Sequence, residues 1–348
     1  MDDYRVDLRA TADKIAEQFL PSDSSASLAM NAKAWVQYAR SGFTTLNGNE
    51  GLGGGGGDFR DAVEVVESAA LISAPIGEAL LLAVPLLNHA QIPLPTGVFT
   101  AAKARDWQVD ADGTFSGELR NVSFLDSSDE VVVLGHDGSR AVIALLPVES
   151  FRSGLRTMRN LAGEARSSVR LERVTPIAIA DLAGGEWNTL FDVHGALLRS
   201  LQTAVGMQFL LDETVRYVQE REQFGRALWK FQTVQHRIAT MASHALCVKV
   251  AARSAVLRVA ESDLPERDAW QSIAVAKSEA SSLTSAVTEA AHQLHGAIGL
   301  TQEHRIGAAT KRLWAWREEF GNEQFWWAKL GRHVRDSDAG YWQSMSTI

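Results

Sequence analysis

Three long stretches of helical periodicity fill most of the second half of the chain, and they restrict its fold more than any other feature. Apolar residues recur at three- and four-residue spacing over 193–217, 232–260 and 266–295, the last rich in Ala and Ser. Shorter patterns follow at 303–316 and 322–335. Alanine-rich helices of this length pack closely side by side, so a four-helix bundle is expected over 184–348.

The first part of the chain has a different texture. Helical spacing recurs at 7–19, 28–39 and 59–68, and again over 69–87, where Pro75 and Gly77 interrupt it. From Pro93 and Pro95 onward, short β-branched runs replace it: 107–109, 115–119, 131–134, 141–146 and 168–171. Asp112-Gly113 and Asp137-Gly138 separate two pairs of these runs, a hairpin signal. The expected fold is therefore α+β: an N-terminal helical domain (1–92), a small middle antiparallel β domain (93–183) and the C-terminal bundle (184–348).

Composition removes several classes of function. The net charge is −8 with no basic block, so nucleic acid is not an expected partner. The longest apolar stretches, such as 79–87, are far short of the ~20 residues of a spanning helix, and the N-terminus carries no apolar signal core. A cytoplasmic location is expected and no membrane partner. Cys247 is the single cysteine, which leaves no intrachain disulfide and no Cys-based metal site. Five of the ten tryptophans (Trp314, Trp316, Trp326, Trp327 and Trp342) lie near the C-terminus, as core or oligomer-interface residues do. The Gly-rich segment 48–57, GNEGLGGGGG, lacks both a preceding strand and a following Lys-Ser/Thr, so a flexible surface connection is expected rather than a phosphate cradle.

Two segments carry a resemblance. Residues 221–232, REQFGRALWKFQ, resemble the RxxFG…FQ signature of acyl-CoA dehydrogenases, and 293–299, QLHGAIG, resemble that family's QLHGGxG segment at the expected distance downstream. Glu50-Gly-Leu-Gly53 is similar to the family's E-x-GG loop, and the α–β–α order agrees over nearly the whole chain. The resemblance implies an FAD site. Arg221 has the forked guanidinium that suits a phosphate. Phe224, before the turning Gly225, can cover an adenine or ribose edge, and the Gln232 amide can reach diphosphate or ribitol hydroxyls. Gln293, His295 and the turn from Gly296 would bring backbone close to the same dinucleotide. Asn322 and Gln324 can hydrogen-bond flavin or diphosphate. In the family this set contacts an FAD held mainly by the neighbouring subunit. Read singly, each residue also fits a helix C-cap with a surface Arg or a core-facing Gln; the spacing of the set carries the cofactor reading.

The same resemblance exposes what is missing. The flavin-ring segments of the family's β domain have no counterpart in 96–105, TGVFTAAKAR, or in 121–125, NVSFL. Phe320 stands where the family has its catalytic glutamate. Glu319 is one residue earlier, a rotation of about 100° on a helix. At the family's second base position stands Ala196, with Asp192 and His194 nearby but unmatched. No catalytic residue is assigned, and Glu319 is a weak candidate. Contacts lent to a neighbour are kept while contacts to the chain's own flavin are lost. The resemblance thus implies the non-catalytic subunit of an α2β2 acyl-CoA dehydrogenase, as in actinobacterial heterotetramers acting on steroid side-chain CoA thioesters. A paralogous catalytic subunit, an acyl-CoA substrate and an electron-transfer flavoprotein would be its partners. Two other readings stay open: a self-sufficient homo-oligomeric enzyme using Glu319, Asp192 or an unplaced base, and a scaffold that binds neither FAD nor CoA.

Overall fold

The computed structural model describes residues 3–20, 29–137, 140–182, 185–262, 269–301 and 304–336. The Asp137-Gly138 turn and the expected helix starts at 28, 266 and 303 fall wholly or partly outside them. The chain forms two compact units that part between Leu198 and Arg199.

The first unit opens with helices α1 (Asp3–Glu17), α2 (Ala32–Arg40) and α3 (Phe59–Ser68). Helix α3 starts where the sequence predicts, because Asp58 and Asp61 form a reciprocal capping box: each carboxylate accepts the other's backbone N–H, at 2.9 and 3.0 Å. Arg9 of α1 reaches Glu64 (3.1 Å) and Glu67 (2.9 Å) of α3 and ties the two helices together. The interruption expected at Pro75 is real. A short α4 (Ile76–Glu78) follows it and passes through a π turn (Ala79–Ala83) into α5 (Val84–Ala90).

Among the described residues, seven strands form one sheet in the order β5-β6-β2-β1-β3-β4-β7: β1 Phe99–Val109, β2 Phe115–Ser123, β3 Glu130–His136, β4 Ala141–Pro147, β5 Arg156–Arg159, β6 Ala165–Val174 and β7 Ala178–Leu182. Its pairs are antiparallel except one. β1 runs parallel to β3, with Thr100 beside Val131, so the sheet is mixed and not antiparallel throughout as expected. Parallel neighbours need a crossover, which β2 and the 3-10 turn Leu125–Ser127 provide. The hairpin at Asp112-Gly113 forms as its sequence predicts, with Gly113 left-handed at φ 81°. Phe115, Leu119, Val131, Val133, Leu146 and Leu171 close the core of one face, each worth roughly 1.5–3 kcal/mol of burial. β5 is exposed at every position, which is why its sequence carries no strand signal.

The parting of the two units falls within α6 (Trp187–Glu220). The second unit continues with the hairpin β8–β9 (Glu222–Gln223 and Arg226–Ala227), α7 (Gln232–Glu261), α8 (Trp270–His295), α9 (Ile306–Glu318) and α10 (Glu323–Asp336). Helices α7, α9 and α10 all pack on α8. Gly206 of α6 lies so close to α9 that a Cβ there would stand 2.8 Å from the Leu313 side chain. This is the bundle that the Ala- and Ser-rich periodicity predicts. Among the described residues no helix is long and apolar enough to cross a membrane, and no group of three His, Cys, Asp or Glu is placed to hold a metal ion.

Candidate functional site

The hairpin after α6 is the most distinctive surface feature of the second unit. Arg221 continues the helical hydrogen bonding to Tyr217 O at 2.9 Å, after which the chain reverses in two residues. Phe224 and Gly225 both take positive φ, 53° and 77°, as a tight two-residue hairpin demands. Glycine adopts this freely, but a bulky aromatic does so at a cost of about 1–2 kcal/mol. The strain presents an aromatic ring to solvent: Phe224 is 90% exposed. Its ring meets the edge of Phe231 at 6.1 Å, and the Arg226 guanidinium lies 4.1 Å over the Phe231 ring. Neither Arg221 nor Arg226 forms an ion pair among the described residues. Gln232 is the exposed first residue of α7, whose N-terminus has no side-chain cap.

Two cations, a presented ring and an uncapped helix N-terminus suit a nucleotide diphosphate. The residues therefore fit the outer part of an FAD. Arg226 was not singled out by the motif; its signal was the alternation of Arg221, Phe224, Arg226 and Phe231 along eleven residues.

The second motif divides between surface and interior. Gln293 is exposed near the end of α8, and Gly296 turns the chain away at φ 62°, facing open space. His295 does not join them: it is buried, 3% exposed. Its Nδ1–H donates to Ala291 O at 2.8 Å, and its ring stacks on Tyr217 at 4.5 Å and meets His304 at 4.6 Å. Burial first, with nearby His304 and His292 opposing further positive charge, pushes its pKa down to about 4. It holds the start of the turn as a neutral ring.

Where the family's glutamate is expected, the backbone is also strained. Helix α9 ends at Glu318, and Phe320 and Gly321 are both left-handed, at φ 56° and 87°. Trp326 Nε1–H donates to Phe320 O at 3.0 Å and fixes the reversal. The carboxylate of Glu319 accepts from Arg199 Nε at 2.7 Å, and Arg199 is almost wholly buried, with Gln202 as a further acceptor. The guanidinium lies 5.8 Å over the Phe320 ring. Lys277 reaches the same end of α9 from α8. Its Nζ donates to Trp316 O (3.1 Å), Arg317 O (2.8 Å) and Ser281 Oγ (2.9 Å), filling carbonyls that a helix terminus leaves without partners. Burial pulls its pKa down to about 7, against the attraction of Glu319. Beyond the reversal, Asn322 bonds Glu318 (3.0 Å) and caps α10, while Gln324 is exposed.

The other base candidates are occupied too. Asp192 holds Lys103 Nζ with both carboxylate oxygens at 2.8 Å. His194 has a structural partner. The Ala79–Ala83 π turn and Pro85, which has no N–H, leave the carbonyls of Leu80 and Leu81 without helical donors. Asn47 Nδ2 bonds Leu80 O at 3.0 Å and His194 Nδ1–H bonds Leu81 O at 3.0 Å. Burial pushes the His194 pKa down to about 4, so the ring stays neutral. Ala196 is buried.

The Gly-rich loop corrects the expectation of a flexible connection. Gly55, Gly56 and Gly57 donate to Thr45, Gly48 and Leu46 carbonyls at 2.8–3.0 Å. A Cβ on Gly54 would stand 2.1 Å from Gly48 C. The glycines allow two backbone segments to touch, and their N–H groups are already spent on carbonyls. The loop borders an open cleft of about 560 Å³ with Asn47, Asn88, His89 and Gln91.

A helical region, a central sheet and a bundle whose first long helix ends in an Arg-Phe-Gly hairpin define an acyl-CoA dehydrogenase fold. The comparisons agree. Residues 193–334 match the acyl-CoA dehydrogenase C-terminal domain. Acyl-CoA dehydrogenase IpdE2 of Mycolicibacterium smegmatis is 29% identical over 265 residues, 76% of this chain and 75% of the relative. The structure of the ChsE4-ChsE5 complex from Mycobacterium tuberculosis superposes with a TM-score of 0.83 at 18% identity, covering 97% of this chain and 98% of that one. Butyryl-CoA dehydrogenase from Megasphaera elsdenii gives 0.78 at 16% identity, covering 96% and 99%. Residues 193–334 thus carry the family's C-terminal domain, and the chain as a whole has the acyl-CoA dehydrogenase fold.

Proposed function

We propose that this chain is the non-catalytic subunit of an FAD-dependent acyl-CoA dehydrogenase. It lends Arg221, Phe224, Gly225, Gln232, Gln293 and Gly296, with Asn322 and Gln324, to an FAD held mainly by a catalytic paralogue in an α2β2 assembly. The observation that carries the reading is a contrast. Phe224 is turned out at 90% exposure beside Arg221 and Arg226, neither of which makes an ion pair among the described residues. At the base position, by contrast, a phenylalanine stands beside a glutamate held by Arg199.

Bound FAD would accept the hydride removed when an acyl-CoA thioester is dehydrogenated between its α and β carbons. This chain's contribution is positional. Arg221 and Arg226 neutralise diphosphate charge, Phe224 covers a nucleotide face, and the Gln232 and Gln293 amides fix orientation. General-base work needs a free carboxylate within hydrogen-bond reach of the proton, and Phe320 offers none. The α-proton therefore goes to the partner's base. Three relatives support the reading: IpdE2 is named an acyl-CoA dehydrogenase, the ChsE4-ChsE5 structure is a complex, and the Tcur3481-Tcur3483 protein is described as a steroid ACAD. A steroid side-chain CoA thioester is the proposed substrate and an electron-transfer flavoprotein the electron acceptor, in the cytoplasm.

The test is the visible absorbance of the chain purified alone and after co-expression with a candidate catalytic paralogue. Flavin bands only in the co-expressed complex, at one FAD per pair of unlike chains, are expected. Stoichiometric flavin on the chain alone would favour the self-sufficient enzyme. A stable complex without flavin would favour the scaffold.

A further inference from the structure

The cleft beside the Gly-rich loop belongs wholly to the first unit and takes no part in the FAD-lending surface. It lies between that loop and the end of α5, holds about 560 Å³, and is lined by the side chains of Asn47, Asn49, Glu50, Asn88, His89 and Gln91 with glycine backbone between them. Small-ligand sites span about 300–1,000 Å³. No lysine, arginine or aliphatic side chain is among the residues that line it.

Its donors are largely spent and its acceptors are not. Asn47 Nδ2 donates to Leu80 O at 3.0 Å, Asn88 Nδ2 to Asn47 O at 3.0 Å and Gln91 Nε2 to Asn88 O at 2.6 Å. The Asn49 backbone N–H donates to Asn88 Oδ1 at 2.9 Å, and those of Gly48, Gly56 and Gly57 donate to loop carbonyls. Against this, Asn47 Oδ1 is buried with no hydrogen-bond partner, a costly state for an acceptor. The Glu50 carboxylate and Gln91 Oε1 accept no hydrogen bond among the described residues.

The backbone places these oxygens. Gly56 is left-handed at φ 69°, and a Cβ there would stand 2.8 Å from Glu50 Oε1, so the glycine leaves room for the carboxylate to fold over the loop. Gln91 ends α5 at φ 54°, a conformation that costs a side-chain-bearing residue. The helical run that ends there is continuous from Ile76 to Ala90, and its C-terminus brings partial negative charge to the cleft.

We propose that this cleft binds a small amine, whose protonated nitrogen donates toward the oxygens of Glu50, Gln91 and Asn47. An ammonium has three donors and no acceptor, which suits a site of open acceptors. An anion would meet a carboxylate and the negative end of a helix. An acyl chain would find no apolar wall. A metal ion would leave most of the volume unfilled, and no group of three His, Cys, Asp or Glu is placed to hold one among the described residues.

The test is titration calorimetry on the full chain at low salt with four probes: ethanolamine, choline, ethylene glycol and magnesium chloride. Choline keeps the charge of ethanolamine without its N–H donors, and ethylene glycol keeps the frame without the charge. Ethanolamine should bind at one site per chain with a dissociation constant on the order of 1 mM, and the other three at least about tenfold more weakly. Added salt should weaken the binding. Glu50→Gln should weaken it about tenfold with an unchanged thermal midpoint, because the carboxylate has no partner to lose. Gln91→Gly is a second, independent variant: it removes the amide and relieves the left-handed strain, so affinity should fall while the midpoint holds or rises. No binding of ethanolamine at millimolar concentration would overturn the proposal. So would choline, ethylene glycol or magnesium binding as tightly as ethanolamine, or full affinity in both variants. Flavin is not read in this experiment, and the FAD assignment stands or falls separately.

Discussion

Arg199 and Glu319 are joined Nε to Oε2 at 2.7 Å, and Arg199 is buried to 2% exposure. Glu319 stands one residue before Phe320, where the sequence resemblance places the family's base. A carboxylate that balances a buried guanidinium is not free to accept a substrate proton. Glu319→Gln is therefore expected to leave dehydrogenation by the complex unchanged. Glu319→Ala should lower the stability of the second unit by about 3 kcal/mol, because it removes a carboxylate that balances a buried guanidinium. Urea denaturation reads the second effect and steady-state turnover the first. A large fall in rate with Glu319→Gln would restore the self-sufficient enzyme.

Phe320→Glu alone should not produce turnover in the isolated chain. The new carboxylate would occupy a left-handed position at φ 56° beside Glu318 and Glu319, and no flavin-ring segment would accompany it. Any dehydrogenation measured with that single variant would remove the argument from the missing base.

Arg221→Ala should strip FAD from the co-expressed complex with little change in the circular dichroism or thermal midpoint of this chain. The side chain is exposed and makes no ion pair among the described residues, so its loss disturbs no packing. Full flavin occupancy in that variant would refute the placement of the phosphate contact.

Lys277 gives stability a distinctive pH dependence. Burial lowers its folded pKa to about 7 from an ordinary value of 10.5. Between those values the unfolded chain holds the proton more than the folded one does, so stability rises with pH across that window, by up to about 1.4 kcal/mol per unit. Below pH 7 the cost of burying the ammonium is fully present. Lys277→Met should remove this slope, seen in denaturation midpoints compared between pH 6.5 and 9. An equal slope in variant and wild type would exclude Lys277 as its source.

His194 acts in the acid range by the same reasoning. Its folded pKa is pushed down to about 4 from 6.5, so its contribution is present above pH 6.5 and is lost as pH falls toward 4. His194→Ala should also leave Leu81 O without its side-chain donor, at a cost of about 1–3 kcal/mol near neutral pH. Unchanged stability of the first unit would mean that water replaces the ring.

Much of this protein was legible in its sequence because the responsible forces are local. Helix α3 begins and ends where the pattern of 59–68 predicts, since Asp58 and Asp61 cap it from within four residues. The Asp112-Gly113 hairpin and the long helices of the bundle were readable for the same reason: turn chemistry and apolar spacing act over a few residues. The Arg-Phe-Gly hairpin, too, was visible as a motif. What was missed depended on partners distant in the chain. β5 has no apolar alternation, and its pairing with β6 exists only once β6 has formed. The parallel pairing of β1 with β3 follows from the path of the chain through β2, which no single window contains.

The sequence by itself determined the α–β–α order and the helical bundle. Only the tertiary structure decided what each side chain does with its neighbours. It buried His295 against Tyr217 and turned Gln293, two residues away, to solvent. It packed the glycines of 48–57 against 45–48, where a flexible connection was expected. It joined Glu319 to Arg199 across 120 residues and set His194 on a carbonyl left open by a π turn and a proline. The physical reason is one of range. Propensity, capping and turn geometry are settled between near neighbours, whereas burial and charge pairing depend on which distant segments the folded chain brings into contact.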